Sequence, residues 1–406
     1  MKILVFTSLY PNNIWTHHGV FVKERMTRVA RLPNCEVQVV APVPYFPPIR
    51  MSRRWLFSQV VHNQIIEDVK VYHPRYFMIP KIGMIFQGLM MFLGSFAAVK
   101  RVQQDFDFDV IDAHYVYPDG FAAVLLGMIL RKPVVVSARG TDINLYPSFP
   151  LVRQMLKATL NKAHGLISVS EALKNAMQGL GVPPDRIFVI PNGVDTSKFY
   201  PVPKDRARKS LKLPDDKRIL LSVGGLVSGK GFHHLINALH LLRTQHQVHD
   251  LMLIIAGEGI FRPELELLIR KLQLQADVKL AGDIPHEELR LWYSAADLFC
   301  LASSREGWPN VVLEALACGV PVAATAVGGI PEIIRLPHIG RLTQSNDHES
   351  MAKLIEEALS TTWDVDKIVK YAHQHSWEQV ACSVHMLLQE LLKPTNNARK
   401  KSSVGA

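Results

Sequence analysis

The stretch from Ser304 to Glu332 reads SREGWPNVVLEALACGVPVAATAVGGIPE, and the rest of the chain can be ordered around it. Two carboxylates, Glu306 and Glu314, stand eight positions apart with a Gly-Trp-Pro-Asn turn between them. Gly307, Pro309 and Asn310 are turn formers, and Asn310 is suited to cap the short helix expected over 311–318. Gly319 falls where a helix commonly ends in a left-handed residue, and Pro321 prevents continuation. Residues 320–325 predict a short buried strand, closed by Gly328 and Gly329. Loop, helix start and strand in this order present free N–H groups that suit an anion, above all a phosphate. Glu314 lies one turn inside the helix, in reach of hydroxyls on the same ligand, and Glu306 lies on the loop outside. Either glutamate alone would read as a complement to the helix dipole. Spacing, turn, cap and glycine-rich exit together suit a sugar nucleotide.

The stretch resembles the E-x7-E signature of the retaining GT-B glycosyltransferases of family four. That resemblance implies that Glu306 contacts the donor sugar, that Glu314 holds the ribose, and that the backbone at Asn310, Val311 and Val312 binds the diphosphate. It adds Ile284 to the donor contacts. It also implies that no metal or other cofactor is needed, the nucleotide diphosphate sugar being a co-substrate.

The chain has 406 residues, 48% of them hydrophobic, which is enough for two globular domains. A net charge of +10 admits nucleic acid, an anionic membrane or an anionic substrate. No zinc-finger spacing, ribonucleoprotein motif or dense basic helix is present, so nucleic acid is not expected as a partner. Cys35, Cys300, Cys318 and Cys382 show no paired or metal-ligand spacing and read as buried free thiols of a reducing compartment. The first residues open a strand and lack the shape of a signal peptide, so a cytoplasmic location is expected.

Short β-branched runs at 3–7, 37–41, 110–113, 134–137, 166–169 and 187–190 alternate with helical patterns. The rhythm restarts with strands at 219–223, 251–256, 278–280, 298–301 and 320–324. An α/β chain of two doubly wound, Rossmann-like domains follows, and two such domains facing a central cleft is the GT-B architecture. The expected domains are 1–200, on the acceptor side, and 201–375, which takes the nucleotide sugar. A last helix at 376–393 is expected to return to the first, ahead of a mobile polar tail at 394–406. Residues 82–99 carry no charge. Their place between strands favours a mostly buried helix, while a membrane span or a helix with an apolar face on a membrane surface stays open. Upstream, 45–55 mixes Tyr45, Phe46 and Trp55 with Arg50, Arg53 and Arg54, which suits an anionic bilayer or a solvated loop.

Gly224-Gly-Leu-Val-Ser-Gly-Lys-Gly231 matches a phosphate-binding P-loop except at its last position, where Gly231 offers no hydroxyl. Lys230 can still neutralise a diphosphate. The family that the chain resembles usually carries an arginine five residues before the lysine, where this chain has Gly225. By resemblance, Gly19 sits beside the donor phosphates, where a side chain would obstruct close approach. The neighbouring His17 and His18 lack the partners of a metal site. His114, in a segment resembling the family's D-x-H motif, is expected near the donor sugar, and with Glu306 forms the catalytic pair. Arg139 stands where many relatives have histidine, and with Asp142 is a candidate acceptor or sugar contact. Asn192-Gly-Val-Asp195 matches a family hallmark and reads as a structural turn.

The expected activity is glycosyl transfer from a nucleotide diphosphate sugar to an acceptor hydroxyl with retention of configuration. The acceptor is expected to be lipid-linked and to belong to surface polysaccharide synthesis, with the enzyme peripheral on a membrane. The alternatives are a glycosyltransferase or synthase with a soluble acceptor, a sugar-nucleotide epimerase of the same fold, and a non-catalytic nucleotide-sugar-binding protein.

Overall fold

The computed structural model describes residues 1–50, 53–78, 83–344 and 347–393. The expected tail at 394–406 lies outside the described residues, as do positions 51–52 and 81–82 of the loop and apolar run above. Residues 1–168, 177–190 and the chain from Ala381 onward form one compact unit; Val169–Ala176 and Pro191–Val380 form another.

The first unit holds β1 (Lys2–Phe6), β2 (Glu36–Val40), β3 (Val43–Pro44), β4 (Asn63–Ile66), β5 (Val69–Tyr72), β6 (Arg75–Tyr76), β7 (Val110–His114), β8 (Val134–Ala138), β9 (Gly165–Ser168) and β10 (Ile187–Val189). Eight of these make one sheet in the order β10-β9-β8-β7-β1-β2-β5-β4, while β3 pairs with β6 apart from it. β1 pairs in parallel with β2 on one side and β7 on the other, so the strand order reverses there. Ligands of such sheets bind beyond the strand C-termini at that reversal. β7 and β8 are buried throughout, which is why they read as unbroken apolar runs rather than as alternation.

The second unit holds β11 (Arg218–Val223), β12 (Leu251–Ala256), β13 (Val278–Gly282), β14 (Leu298–Leu301), β15 (Val322–Thr325) and β16 (Gly340–Thr343), in the order β13-β12-β11-β14-β15-β16. Every pair is parallel, and the reversal falls between β11 and β14. The helices Phe232–Thr244 and His348–Ser360 pack Leu235, Ile236, Leu239, Met351 and Ile355 against Leu253, Ile255 and Cys300 of the sheet.

Five strands depart from the sequence expectation. β4 and β5 form an antiparallel hairpin closed by Glu67 and Asp68, both at positive φ (46° and 67°). That turn is usually marked by Asn-Gly, a signal this sequence lacks. β3 and β6 are two residues each, and β16 is an edge strand opened by glycine and arginine, so none shows a period.

The helix Gly83–Phe106 is a further correction. It is long and apolar enough to cross a membrane, and 28% of its apolar window is buried, so it is not the mostly buried helix expected. Met91, Ser95 and Val99 face the core, whereas Phe86, Leu89 and Leu93 are exposed at 45%, 40% and 57%. The last long helix, Trp377–Leu392, lays Leu391 directly on Gly165 of β9, where a Cβ would stand 2.4 Å away. Cys35, Cys300 and Cys318 are buried free thiols, as expected, whereas Cys382 on this helix is exposed.

Candidate active site

In the second unit the two loops beside the strand reversal meet. After β11 the chain passes Gly224 and Gly225 into a single 3-10 turn, Ser228–Lys230, before the helix from Phe232. Gly231 takes φ +69°, and a Cβ there would lie 1.8 Å from Ala302 O. The hydroxyl of a P-loop therefore has no room at this position. After β14 the chain runs through Ser303 and Ser304 to Glu306, and Ser304 N donates to Gly229 O at 2.9 Å, tying one loop to the other. Lys230 Nζ donates to Glu306 Oε1 at 2.6 Å, and Ser303 Oγ donates to the same oxygen at 2.7 Å. Gly328, at φ +55°, would place a Cβ 1.9 Å from Glu306 O. The glycine pair at the exit thus clamps the Glu306 loop from below.

The helix spans Asn310–Ala317, preceded by Pro309. Asn310 is its first residue rather than its cap: its Oδ1 accepts from Asn192 Nδ2 at 3.0 Å and is turned away from the helix N–H groups. Val312 N–H already donates to Pro309 O at 3.1 Å, while the N–H groups of Asn310 and Val311 find no acceptor among the described residues. Gly319 follows the helix at φ +79°, as a terminating glycine should. Ile284 is half-buried on the segment leading from β13 to His286.

Glu314 is 7% exposed, and both its oxygens have protein partners. Tyr293 Oη donates to Oε2 at 2.9 Å, and His286 Nε2 meets Oε1 at 3.0 Å. Burial and the adjacent carboxylate push the Tyr293 hydroxyl well above its ordinary range, so it stays a donor.

In the first unit, Gly19 begins the helix Val20–Ala30 at φ +68°, and a Cβ there would lie 2.2 Å from the carbonyl of Leu9. The chain's own backbone already requires glycine at this position. His114 closes β7 and is fully buried. The Arg139 guanidinium donates to its Nδ1, which leaves the proton on Nε2, 3.4 Å from Asp112 Oδ2. Burial, with Arg139 and Arg25 beside it, pulls the imidazole down to about 4, so it is neutral at physiological pH. Burial alone would raise the Asp112 carboxyl, but His114, Arg25 and Arg139 hold it below its ordinary value. Arg139 also stacks over Phe21, 5.2 Å from the ring centre.

Asp142 is fully buried and accepts from the N–H groups of Val116 (2.8 Å), Gly140 (2.8 Å) and Arg139 (3.1 Å). Its carboxylate therefore shapes the loop at the ends of β7 and β8. Asp119, also fully buried, accepts from Ser8 N–H, and burial raises it to about 7. Among the described residues no cluster of three or more His, Cys, Asp or Glu could hold a metal ion. His17 and His18 are exposed, and His18 Nε2 meets Ser8 O at 3.1 Å.

The structure brings together Lys230 with Glu306, Asn310 with Val311, Val312 and Glu314 along one helix, and His114 with Arg139 and Asp142. His286, Tyr293 and Arg25 were not legible as site residues. His286 and Tyr293 stand 28 and 21 residues before Glu314, and the fully buried Arg25 lies on a helix whose pattern reads as amphipathic.

Residues 203–375 match the family model described as glycosyl transferases group 1, and residues 33–198 match glycosyltransferase family 4. A putative teichuronic acid biosynthesis glycosyltransferase, TuaC of Bacillus subtilis, is 28% identical over 98% of this chain and 96% of its own length. Sucrose-phosphate synthase from Thermosynechococcus elongatus superposes with a TM-score of 0.77 at 21% identity, over 96% of this chain and 98% of its own. Anabaena HepE, solved in complex with UDP-glucose, superposes with a TM-score of 0.72 at 20% identity, over 96% of this chain and all of its own. The chain belongs to the group 1 glycosyltransferases of family 4 and has their GT-B fold.

Proposed function

We propose that this glycosyltransferase moves a sugar, with retention of configuration, from a nucleoside diphosphate sugar to a hydroxyl of a lipid-linked intermediate in surface polysaccharide synthesis. The observation that carries the donor half is the meeting of Lys230 with Glu306 beside the open N–H groups of Asn310 and Val311, with Glu314 one turn further along the same helix. Lys230 and the helix start would meet the diphosphate, where negative charge grows as the glycosyl bond breaks. Glu314 would take the ribose and Glu306 the sugar. His114 is neutral and committed through Nδ1 to Arg139, so its role would be to position the sugar rather than to carry a proton. No carboxylate in this set is free to form a glycosyl intermediate, so departure and attack would share one face of the sugar, with a diphosphate oxygen taking the acceptor proton.

The acceptor half rests on the first unit's surface. Phe86, Leu89 and Leu93 form an exposed stripe along one helix face. β3 pairs with β6, and Gly94 of the helix packs against Tyr76 of β6, which sets exposed Tyr45 and Phe77 beside that helix. Exposed Arg50 and Arg54 follow, Arg50 stacking on Trp55 at 4.8 Å. TuaC, named for teichuronic acid biosynthesis, supports a polysaccharide product. The test is a thermal-shift screen of nucleotide sugars. The best stabiliser is then incubated with a lipid-linked acceptor, and NMR reads the product anomer. An inverted product, or transfer to soluble acceptors alone, would overturn the corresponding part.

A further inference from the structure

The carboxylate of Glu314 has a structural feature beyond its place on the helix: it is held at both oxygens by the protein. Tyr293, fully buried on the helix Leu289–Ala295, donates to Oε2 at 2.9 Å. His286, on the segment before that helix, meets Oε1 at 3.0 Å with its side chain 24% exposed. Both rings are wedged by Phe199, which is 2% exposed and lies edge-on to His286 at 5.0 Å and to Tyr293 at 5.9 Å. Phe299 of β14 backs Tyr293 at 5.7 Å.

A carboxylate accepts about four hydrogen bonds, two per oxygen. One protein donor on each oxygen fixes the plane of the group and leaves one acceptor direction on each. Two acceptors held side by side match a vicinal diol, the pattern a ribose offers through its 2′ and 3′ hydroxyls. A glutamate free to rotate would lose rotamer entropy on meeting that diol, whereas a clamped one has lost it on folding.

We propose that His286 and Tyr293 are positioning residues that aim Glu314 at both ribose hydroxyls and thereby set the enzyme's preference for ribonucleotides over 2′-deoxyribonucleotides. The inference rests on the ribose role of Glu314 given above. Sites built to bond a hydroxyl reject the analogue that lacks it, because their own polar groups are left unpaired.

The test is calorimetry with UDP and dUDP, and with GDP and dGDP as a second pair, on the whole enzyme. Wild type should favour the ribose form by roughly tenfold or more. Tyr293→Phe and His286→Leu should each shrink that ratio several-fold while affinity for the deoxy form stays within about twofold. His286→Gln, which keeps a donor, should restore most of it. Equal losses for both sugars, or an unchanged ratio, would overturn the positioning role. Glu314→Gln separates the two readings. If it leaves the ratio intact, Glu314 does not hold the ribose and both fall. If it collapses the ratio while Tyr293→Phe and His286→Leu do not, only the positioning role falls. Failure of both pairs to bind would overturn both. His286 is partly exposed, so its variants keep the test open where loss of the buried Tyr293 hydroxyl prevents folding.

Discussion

Lys230 Nζ and Glu306 Oε1 lie 2.6 Å apart, with Ser303 Oγ on the same carboxylate oxygen at 2.7 Å. The cation assigned to the diphosphate and the carboxylate assigned to the sugar are thus partners of each other. A lysine that is paired in this way has less potential to offer an incoming anion, so donor binding must redistribute the pair. Glu306→Gln should therefore cut turnover sharply, yet leave affinity for free UDP unchanged or tighter. Lys230→Ala should cost about 10²-fold in turnover, as loss of a preorganised electrostatic partner does. Initial rates and calorimetry together decide it; weaker UDP binding by Glu306→Gln would refute the division of roles.

Glu314→Ala should act twice. Nucleotide affinity should fall by about 2 kcal/mol as a charge-assisted bond to the ribose is lost. The protein should also lose about 1–3 kcal/mol of stability, because the buried Tyr293 hydroxyl is left without its acceptor. Chemical denaturation measures the second effect separately from the first. A variant as stable as wild type would mean that Tyr293 finds another partner.

How much of this was legible in the chain depends on range. The stretch from Glu306 to Gly329 announced its turn, helix, strand and glycine exit because each is a local pattern, and all four are present. Local reading erred where a residue had a distant partner. Asn310 has a good capping side chain but spends it on Asn192, 118 positions away. At Gly19 the packing against Leu9, a further reason for glycine, was equally out of local reach. Up to Val99 the helix Gly83–Phe106 is uncharged on the exposed face too, so composition alone could not say which face was buried. The clamp on Glu314 was invisible for the same reason: no period links positions 286, 293 and 314.

Gly225 occupies the position where the family carries arginine. Its backbone is not left-handed, and the nearest atom to a Cβ there is Glu258 O at 3.9 Å. An arginine therefore fits without strain. Gly225→Arg should add a second cation near Lys230 and tighten UDP binding by about 1 kcal/mol at low ionic strength, less at high salt. Isothermal titration at two salt concentrations reads this. Unchanged affinity at low salt would show that the loop does not face the diphosphate.

Asp119 should make stability depend on pH in a definite direction. Its carboxyl, raised to about 7 by burial, keeps its proton in the folded chain well above the ordinary 3.8. Folding takes up a proton between those values, so this group's contribution to stability declines as pH rises through that window and is flat above about 7. Asp119→Asn removes the dependence and retains an acceptor for Ser8 N–H. Its melting temperature relative to wild type should therefore rise from pH 5 to pH 8, by an amount of order 2 kcal/mol in stability. Equal differences at both pH values would place the proton elsewhere.

The membrane-facing surface offers the widest test, because two physical terms can be removed separately. Arg50 and Arg54 are exposed beside Tyr45 and Phe77, and the stripe of Phe86, Leu89 and Leu93 lies on the adjoining helix. Each cation near an anionic bilayer contributes about 1 kcal/mol and is screened by salt, whereas apolar insertion is not. The enzyme should co-sediment with vesicles containing phosphatidylglycerol but not with pure phosphatidylcholine at low salt. High salt should release most of it. Replacing Arg50, Arg53 and Arg54 with glutamate should abolish binding at low salt and change the small salt-resistant part little. Replacing Phe86 and Leu93 with serine should weaken it mainly where salt is high, since only the apolar term then remains. Both variants should bind UDP as wild type does, because Lys230 and Glu314 belong to the other unit. Resistance to alkaline carbonate would instead identify a spanning helix. Absence of binding to anionic vesicles at low salt would remove the lipid surface, and with it the argument for a lipid-linked acceptor.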